Sequence, residues 1–264
     1  DEIDSKFFTM LNEKVPEKFA FLFVGQWTKG GFGEDRKDIG KLLKIFYETF
    51  ANQKKQPALI LKTNGATYSI MDKEDILTKI KSIKSMFPED VKLPNVYLLH
   101  GNFTDDDMNS IYNHPKIKAM VSHTRGEGFG RPLLEFSLVN KPIICSGWSG
   151  QLDFLNNDFT LLLQGSFTNI HPSAIVKDIL IPESQWFQPH ATEIFKSYKD
   201  VYGNYKYWEE QAKRQGYFSR TNFSFKNMKD KISSILENNI NLPEQVSLNL
   251  PKLKKVNLPK LKKI

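Results

Sequence analysis

The sequence predicts an α/β fold, with a Rossmann-like parallel sheet and helices on both of its faces. Short apolar runs alternate along the chain with segments of helical spacing, an order typical of parallel sheets. The first run, residues 19–24 (FAFLFV), is apolar throughout, as expected of a strand covered on both faces. Glycine-rich loops follow the first and the fourth predicted strand. Because ligands of such folds bind outside the carboxyl ends of the strands, these two loops are the first candidates for a functional site.

The strands and the first helices each have a local signal. Residues 1–18 form an amphipathic helix or a linker that ends near Pro16. Apolar residues at helical spacing predict a helix after the first strand and another over residues 72–87. Thr104 and Asp107 have the spacing of a capping box at the start of a third helix. The predicted strands are residues 19–24, 58–61, 96–99, 119–121, 143–145 and 160–163.

The pattern changes after Gln164. Aromatic residues crowd a polar stretch that ends near Leu236, which we interpret as closing helices, and we place Trp186 and Phe187 among them. We therefore expect three parts: a linker or helix over 1–18, one domain over 19–238, and a tail over 239–264. The tail repeats the motif Asn-Leu-Pro with a period of eight, and prolines at that spacing prevent a continuous helix.

Composition limits the function classes. The chain has 264 residues, of which 40% are hydrophobic, enough to bury a core, and no apolar run has the length of a membrane span. Its net charge is +7, but residues 247–264 hold six lysines and no acid, so residues 1–246 carry only +1. A nucleic-acid partner is therefore not expected. The single cysteine, Cys145, excludes an internal disulfide and fits a reducing, cytoplasmic location.

The most informative segment contains two glutamates eight residues apart. Glu127 precedes the glycine loop Gly128-Phe129-Gly130, and Glu135 follows Pro132, a residue favoured at the first helical position. We predict that Glu135 lies in the first turn of that helix and faces the same pocket as Glu127. Backbone N–H groups at the start of the helix attract anions, above all a diphosphate. One carboxylate can then accept hydrogen bonds from a sugar and the other from a ribose.

This segment resembles the donor-binding C-terminal domain of retaining GT-B glycosyltransferases, the glycosyltransferase group 1 family with its Glu-x7-Glu motif. The resemblance extends over about residues 19–163, and more loosely to residue 236. It implies that Glu127 is catalytic and meets the donor sugar, that the 128–130 amides and Arg131 meet the donor, and that Glu135 holds the ribose. It also implies a nucleoside diphosphate sugar as substrate, an acceptor that is a glycan, lipid or protein, and no metal or other cofactor.

The loop after the first strand is the second candidate site. In the family a basic pair follows this strand, and Lys37, entering the helix, matches its lysine as a second catalytic and donor-binding residue. Next to Gly25 the family has an arginine, and here Gln26 departs from the pattern. Both residues belong to the predicted donor site, although glutamine cannot replace a guanidinium on a phosphate. The residues that could supply the charge instead are Lys29, Arg36, Lys62 and Arg131.

Other chemistry is not supported by the sequence. The five histidines show no metal-ligand spacing, and neither glycine loop fits the dinucleotide fingerprint. Asp105, Asp106 and Asp107 have an Asp-x-Asp spacing, but they follow the capping Thr104, where the helix dipole favours acids. We therefore predict no metal site.

Three functions stay open at the level of sequence. The first is the donor-binding domain of a retaining hexosyltransferase, weak or inactive by itself. The resemblance implies an N-terminal partner domain, which residues 1–18 are too short to contain. The second is a nucleotide-binding or sugar-binding module without turnover. The third is an attachment or assembly protein that acts through the basic tail, with a peripheral contact to an acidic membrane surface as one form of it.

Overall fold

Six parallel strands form the central sheet of this computed structural model, which describes residues 6–239. Their order in the sheet is β3-β2-β1-β4-β5-β6, and every neighbouring pair is parallel. The predicted fold class and the number of strands are confirmed. The strands are β1 (Ala20–Gln26), β2 (Ala58–Asn64), β3 (Val96–Leu99), β4 (Ile117–Ser122), β5 (Ile143–Ser146) and β6 (Leu161–Leu163).

Helices cover both faces of the sheet. In β1, Phe21 and Phe23 pack into one core cluster, whereas Ala20 and Leu22 pack into the other, because successive side chains of a strand point to opposite faces. The helices of the main unit are α1 (Lys6–Lys14), α2 (Ile39–Phe50), α3 (Ile70–Lys84), α4 (Asp105–Asn113), α5 (Arg131–Ser137), α6 (Ala191–Gly203) and α7 (Tyr205–Asn222). Helix α4 begins with the predicted capping box of Thr104 and Asp107.

The segment after β6 differs from the prediction. Strands β7 (Gly165–Asn169) and β8 (Gln185–Pro189) form an antiparallel pair, so the helical prediction for Trp186 and Phe187 was wrong. Trp186 is buried against Ile170 and Ala174. The two aromatics are flanked by glutamines in a five-residue strand, a pattern too short to separate strand from helix by periodicity.

The chain divides into two units, at residues 223 and 224. Helix α8 (Phe225–Asn239) is the described part of the second unit. The domain boundaries predicted at residues 18 and 238 stay predictions. The tail repeats beyond residue 239 lie outside the described residues. Within residues 6–239, no helix is both long and apolar enough to cross a membrane.

Candidate functional site

The two glycine-containing loops meet at the carboxyl edge of the sheet. One loop follows β1 and the other follows β4, and these two strands are neighbours although they are distant in sequence. The strand order reverses between them, and such a switch point is where open α/β sheets bind ligands. The backbone N–H of Arg125 donates to the carbonyl of Arg36 at 2.8 Å, which ties the two loops together.

Two cations converge on one carboxylate at this switch point. The Nζ of Lys37 donates to Oε2 of Glu127. The Nη1 of Arg36 lies 3.5 Å from the same oxygen and donates to the carbonyl of Gly126 at 2.7 Å. Thr124 adds a hydroxyl, which donates to Glu127 Oε2 at 3.3 Å. The structure thus brings together the two residues that the sequence predicted to be catalytic, Lys37 and Glu127.

The ion pair between Lys37 and Glu127 is largely buried. The side chains of Lys37 and Glu127 are only 11% and 17% exposed. Burial lowers the pKa of Lys37, because it disfavours the charged form, and the carboxylate of Glu127 partly offsets that effect. Two positive groups share one carboxylate in this cluster, and Asp35 is a further acid that acts on Lys37. A ligand anion that took the place of the Glu127 carboxylate would therefore meet two cations.

The backbone of Glu127 is held by a strained serine. The hydroxyl of Ser149 accepts from the N–H of Glu127 at 2.9 Å and donates to its carbonyl at 2.5 Å. Ser149 has φ 84° and ψ −167°, a region that residues other than glycine rarely adopt. The next residue, Gly150, has no room for a side chain, since a Cβ would lie 2.1 Å from the carbonyl oxygen of Gly128. The two hydrogen bonds of Ser149 hold the backbone of Glu127 against the 149–150 turn.

The glycine segment between the glutamates forms the surface of the site. Gly130 has φ 88° and precedes α5, whereas Gly128 and Phe129 are exposed. The Phe129 ring lies on that of Phe154, with their centroids 5.2 Å apart. Among the described residues, no acceptor pairs with the backbone N–H of Gly128 or Phe129. These two amides therefore remain available to a ligand.

Glu135 lies elsewhere. Because α5 begins at Arg131, Glu135 falls in its second turn, and the prediction of the first turn was wrong. The carboxylate accepts from the hydroxyl of Tyr112 at 3.2 Å and from Nε of Arg131, its neighbour one turn earlier, at 2.9 Å. The contacts of Glu135 and Glu127 have no residue in common. The role of Glu135 in holding a ribose stays a prediction.

Of the cations that could compensate for Gln26, Arg36 lies at the Glu127 carboxylate. The amide of Gln26 donates to the carbonyl of Gly65 at 2.6 Å. Gly25 lies beside the Lys37 stem, whose Cε would be 3.6 Å from a Cβ at that position. Of the other candidate cations, Lys29 and Lys62 donate to backbone carbonyls, and Arg131 pairs with Glu135. Only Arg36, among these candidates, reaches Glu127.

Arg125 was not among the site residues predicted from the sequence. This side chain is 3% exposed, donates to the carbonyl of Gly33, and lies 3.6 Å from Asp38 and 3.5 Å from Glu34. It holds the loop that carries Arg36 and Lys37 against the loop that carries Glu127. The sequence feature that could have indicated it is an arginine shortly after an apolar strand and two residues before Glu127. A charged residue that is buried there needs charged or polar partners.

Two buried acids lie in the same loop. Burial and, next to it, the charge of Asp38 together raise the pKa of Asp35 to about 6. Burial also raises the pKa of Asp38, against the attraction of Arg125. One oxygen of each carboxylate has no hydrogen-bond partner in the structure. The folded chain therefore binds protons on these acids more tightly than the unfolded chain does.

Replacing Asp35 with asparagine should stabilise the protein at neutral pH. The folded-state pKa of about 6 lies above the ordinary 3.8, so stability from this group is lost as the pH rises from about 4 to about 6. Asparagine can still accept the hydrogen bond from the Lys37 N–H. We expect a gain of about 1–3 kcal/mol in the free energy of unfolding at pH 7, measured by urea denaturation. The gain should vanish near pH 4.

The exposed Asp90 provides the control for this variant. Asp90→Asn removes the same charge from the surface and should change the free energy of unfolding by less than about 0.5 kcal/mol at either pH. A gain from Asp35→Asn that is equal at both pH values would show that burial of the charge is not its cause.

Two further features limit what the site contains. Within residues 6–239, no group of three or more His, Cys, Asp and Glu side chains has the arrangement of a metal site. A cavity of about 310 Å³ is lined by Trp27, Phe32, Asp35 and Ser82, among other residues, but not by Lys37 or Glu127. The cluster around Glu127 is therefore distinct from this cavity.

Comparison with solved structures shows which proteins have this fold. The chain is 12% identical to the C-terminal domain of a glycosyl transferase group 1 family protein (LpcC) from Francisella tularensis, with a TM-score of 0.55, and the match covers 84% of this chain and 94% of that domain. It is 12% identical to HepE from Anabaena, solved in complex with UDP and glucose, with a TM-score of 0.59, covering 89% of this chain and 53% of HepE. A glycosyltransferase from Rickettsia africae is 13% identical, with a TM-score of 0.55, covering 88% of this chain and 51% of the other.

These likenesses concern the fold. The chain has the Rossmann-like fold of the LpcC C-terminal domain, as the resemblance implied. It spans about half the length of HepE and of the Rickettsia glycosyltransferase. No protein-family model matches the sequence, and no curated protein matches it.

Proposed function

We propose that this chain is the donor-binding domain of a retaining glycosyltransferase, which takes a hexose from a nucleoside diphosphate sugar. The observation that carries the proposal is the convergence of Arg36 and Lys37 on Glu127 at the switch point of the sheet. A diphosphate needs fixed cations, and a sugar needs a carboxylate that can accept from its hydroxyls. The fold shared with HepE, which was solved with UDP and glucose, supports the same reading.

In the proposed mechanism the donor replaces one ion pair with another. The diphosphate takes the guanidinium of Arg36 and the ammonium of Lys37, and the released Glu127 carboxylate accepts hydrogen bonds from the sugar. The exposed amides of Gly128 and Phe129 donate to the donor from the same side. As the bond to the sugar breaks, negative charge develops on the leaving diphosphate. The two cations stabilise that charge in place of a metal ion.

The acceptor side of the reaction is outside this chain's proposed role. Because the match covers about half of HepE, we infer that a second domain supplies the acceptor site and closes over the donor. Closure would exclude water from the reacting bond. The acceptor, a glycan, a lipid or a protein, is then chosen by that other domain.

A second candidate function is a module that binds a nucleotide or a sugar without turnover. The observation that favours it is Gln26, which stands where the family has an arginine and whose amide is already paired with Gly65. If Arg36 replaces the family's arginine, it would bind the diphosphate less firmly than an arginine placed directly after the strand. Binding would then persist while the leaving group is poorly stabilised.

Thermal-shift titrations with UDP, GDP and ADP test both candidates. A ligand that binds only the folded chain raises the melting temperature with its concentration. At least one nucleoside diphosphate should do so if the chain binds a nucleotide, either as an enzyme domain or as a module, and none should if the chain acts only through its tail. Donor hydrolysis or transfer, measured with the matching nucleotide sugar, then separates the enzyme from the binding module.

Replacing Glu127 with alanine should separate the sugar from the diphosphate. The variant loses the acceptor for the sugar hydroxyls, so it should bind the nucleotide sugar about 1–3 kcal/mol more weakly. Its affinity for the free diphosphate should be unchanged or higher, because Arg36 and Lys37 no longer have to leave a carboxylate. Calorimetric titration with the diphosphate and with its sugar derivative measures the two effects. An equal loss for both ligands would contradict the assignment of Glu127 to the sugar.

A further inference from the structure

Helix α8 carries an apolar stripe along one side. Five large hydrophobic side chains are exposed on it, and α8 buries no residue at all. At 3.6 residues per turn they fall on a single face. The stripe consists of Phe225 (87% exposed), Met228 (42%), Ile232 (53%), Ile235 (56%) and Leu236 (48%). A stripe of this size on a helix needs a partner surface.

The charged residues of α8 are arranged around this stripe. Lys229 and Lys231 border it, one on each side, whereas Lys226, Asp230 and Glu237 lie towards the opposite face. A helix with an apolar face and lysines along its edges is typical of helices that lie in a membrane interface. The acids are placed where they would face water in such an arrangement.

Almost all of the net charge belongs to the same unit. Residues 224–264 contain nine lysines and three acids, a net charge of +6, whereas residues 1–223 carry +1. The basic repeats that follow α8 therefore add charge of the same sign to the segment that carries the stripe. A second copy of this chain would bring a like charge of +6 against it, and an anionic surface would bring the opposite charge.

We propose that α8 is a docking site for an anionic lipid bilayer. Its apolar stripe inserts at the level of the headgroups, and Lys229 and Lys231 at the edges of the stripe bind acidic lipids. Binding depends on both parts, because the stripe alone is short and the lysines alone are screened by salt. This proposal does not rest on the glycosyltransferase function.

Vesicle flotation with the full chain tests the proposal. The parent protein should float with vesicles of phosphatidylcholine and phosphatidylglycerol, and not with vesicles of phosphatidylcholine alone. Binding should disappear in about 1 M salt, where the Debye length is about 3 Å. Binding to both kinds of vesicle alike, or to neither, would overturn the proposal.

A pair of matched variants tests the role of the stripe. Ile232→Glu with Ile235→Glu should reduce partition into the anionic vesicles at least about tenfold, because two apolar side chains are lost from the inserted face. The control, Ser234→Glu with Asn238→Glu, adds the same charge on the polar face and should retain most of the binding. An equal loss in both variants would mean that charge alone acts, and would overturn the docking role of the stripe.

Light scattering without lipid tests whether a second copy of this chain covers the stripe instead. A monomeric parent protein is the expected result. A dimer that the isoleucine variant abolishes, together with no flotation of the parent, would assign the stripe to a second copy of this chain and would overturn the membrane proposal. Circular dichroism of each variant confirms that the helices are retained.

Discussion

Lys37→Met should remove most of the affinity of this chain for a nucleoside diphosphate. The ammonium of Lys37 is largely buried. Among residues 6–239, its one partner of opposite charge at hydrogen-bond distance is the Glu127 carboxylate, which the diphosphate is proposed to replace. Losing one charge-assisted hydrogen bond to a phosphate should weaken binding by about 1.5–3 kcal/mol, roughly ten- to 150-fold in Kd. Isothermal titration calorimetry with the nucleoside diphosphate that gives the largest thermal shift measures it.

The control for this variant is Lys54→Met. Lys54 is exposed, and it follows α2. Its loss removes the same formal charge at a distance from Glu127 and should leave Kd within about a factor of two. A Lys37→Met protein that binds with the affinity of the parent would show that the cluster around Glu127 is a structural ion pair and not a phosphate site.

Purified residues 1–264 should bind the nucleotide sugar but transfer its sugar negligibly. The reason is the open position of Gly128 and Phe129 at the surface, because under our proposal a second domain excludes water and places the acceptor. Assembling a reaction in a closed site can contribute a factor of 10⁵ or more, on the order of the effective molarities of oriented reactants. Adding a matching N-terminal domain, in trans or as one chain, should therefore restore transfer by several orders of magnitude.

A radiolabelled donor with a panel of glycan, lipid and protein acceptors measures this transfer. The matched control is the two-domain mixture with Lys37→Met. Its transfer rate should be about 10²- to 10³-fold below that of the parent mixture, as expected when one group that stabilises the leaving charge is removed. Efficient transfer by residues 1–264 alone would contradict the prediction. It would mean that this chain, or an oligomer of it, builds its own acceptor site.

The sheet was predictable because its strands have clear local signals. The run around Phe21 is apolar throughout, and the capping box at Thr104 depends on two residues three apart. The pair β7 and β8 was not predictable in the same way. Trp186 and Phe187 are apolar neighbours within five residues, and only their backbone pairing with β7 identifies a strand.

The sequence predicted the residues of the candidate site, and the structure brings only some of them together. Lys37 and Glu127 were chosen from two separate motifs, and the structure places them in contact, because β1 and β4 are neighbours in the sheet. The turn assigned to Glu135 depended on where α5 begins, which differs from the prediction by one residue. Its contacts with Tyr112 and Arg131 are tertiary and helical contacts that the motif does not predict. Helix ends are the least certain boundaries that a sequence gives.

A crystal structure of residues 1–264 with a bound nucleoside diphosphate would show whether the cluster around Glu127 is the phosphate site. We expect both phosphates within about 3 Å of donors on Arg36, Lys37 and the 128–129 amides, the distance of charge-assisted hydrogen bonds. Lys37 should then have left the Glu127 carboxylate. A diphosphate bound in the cavity beside Trp27 and Ser82, with the Lys37–Glu127 ion pair intact, would contradict the account.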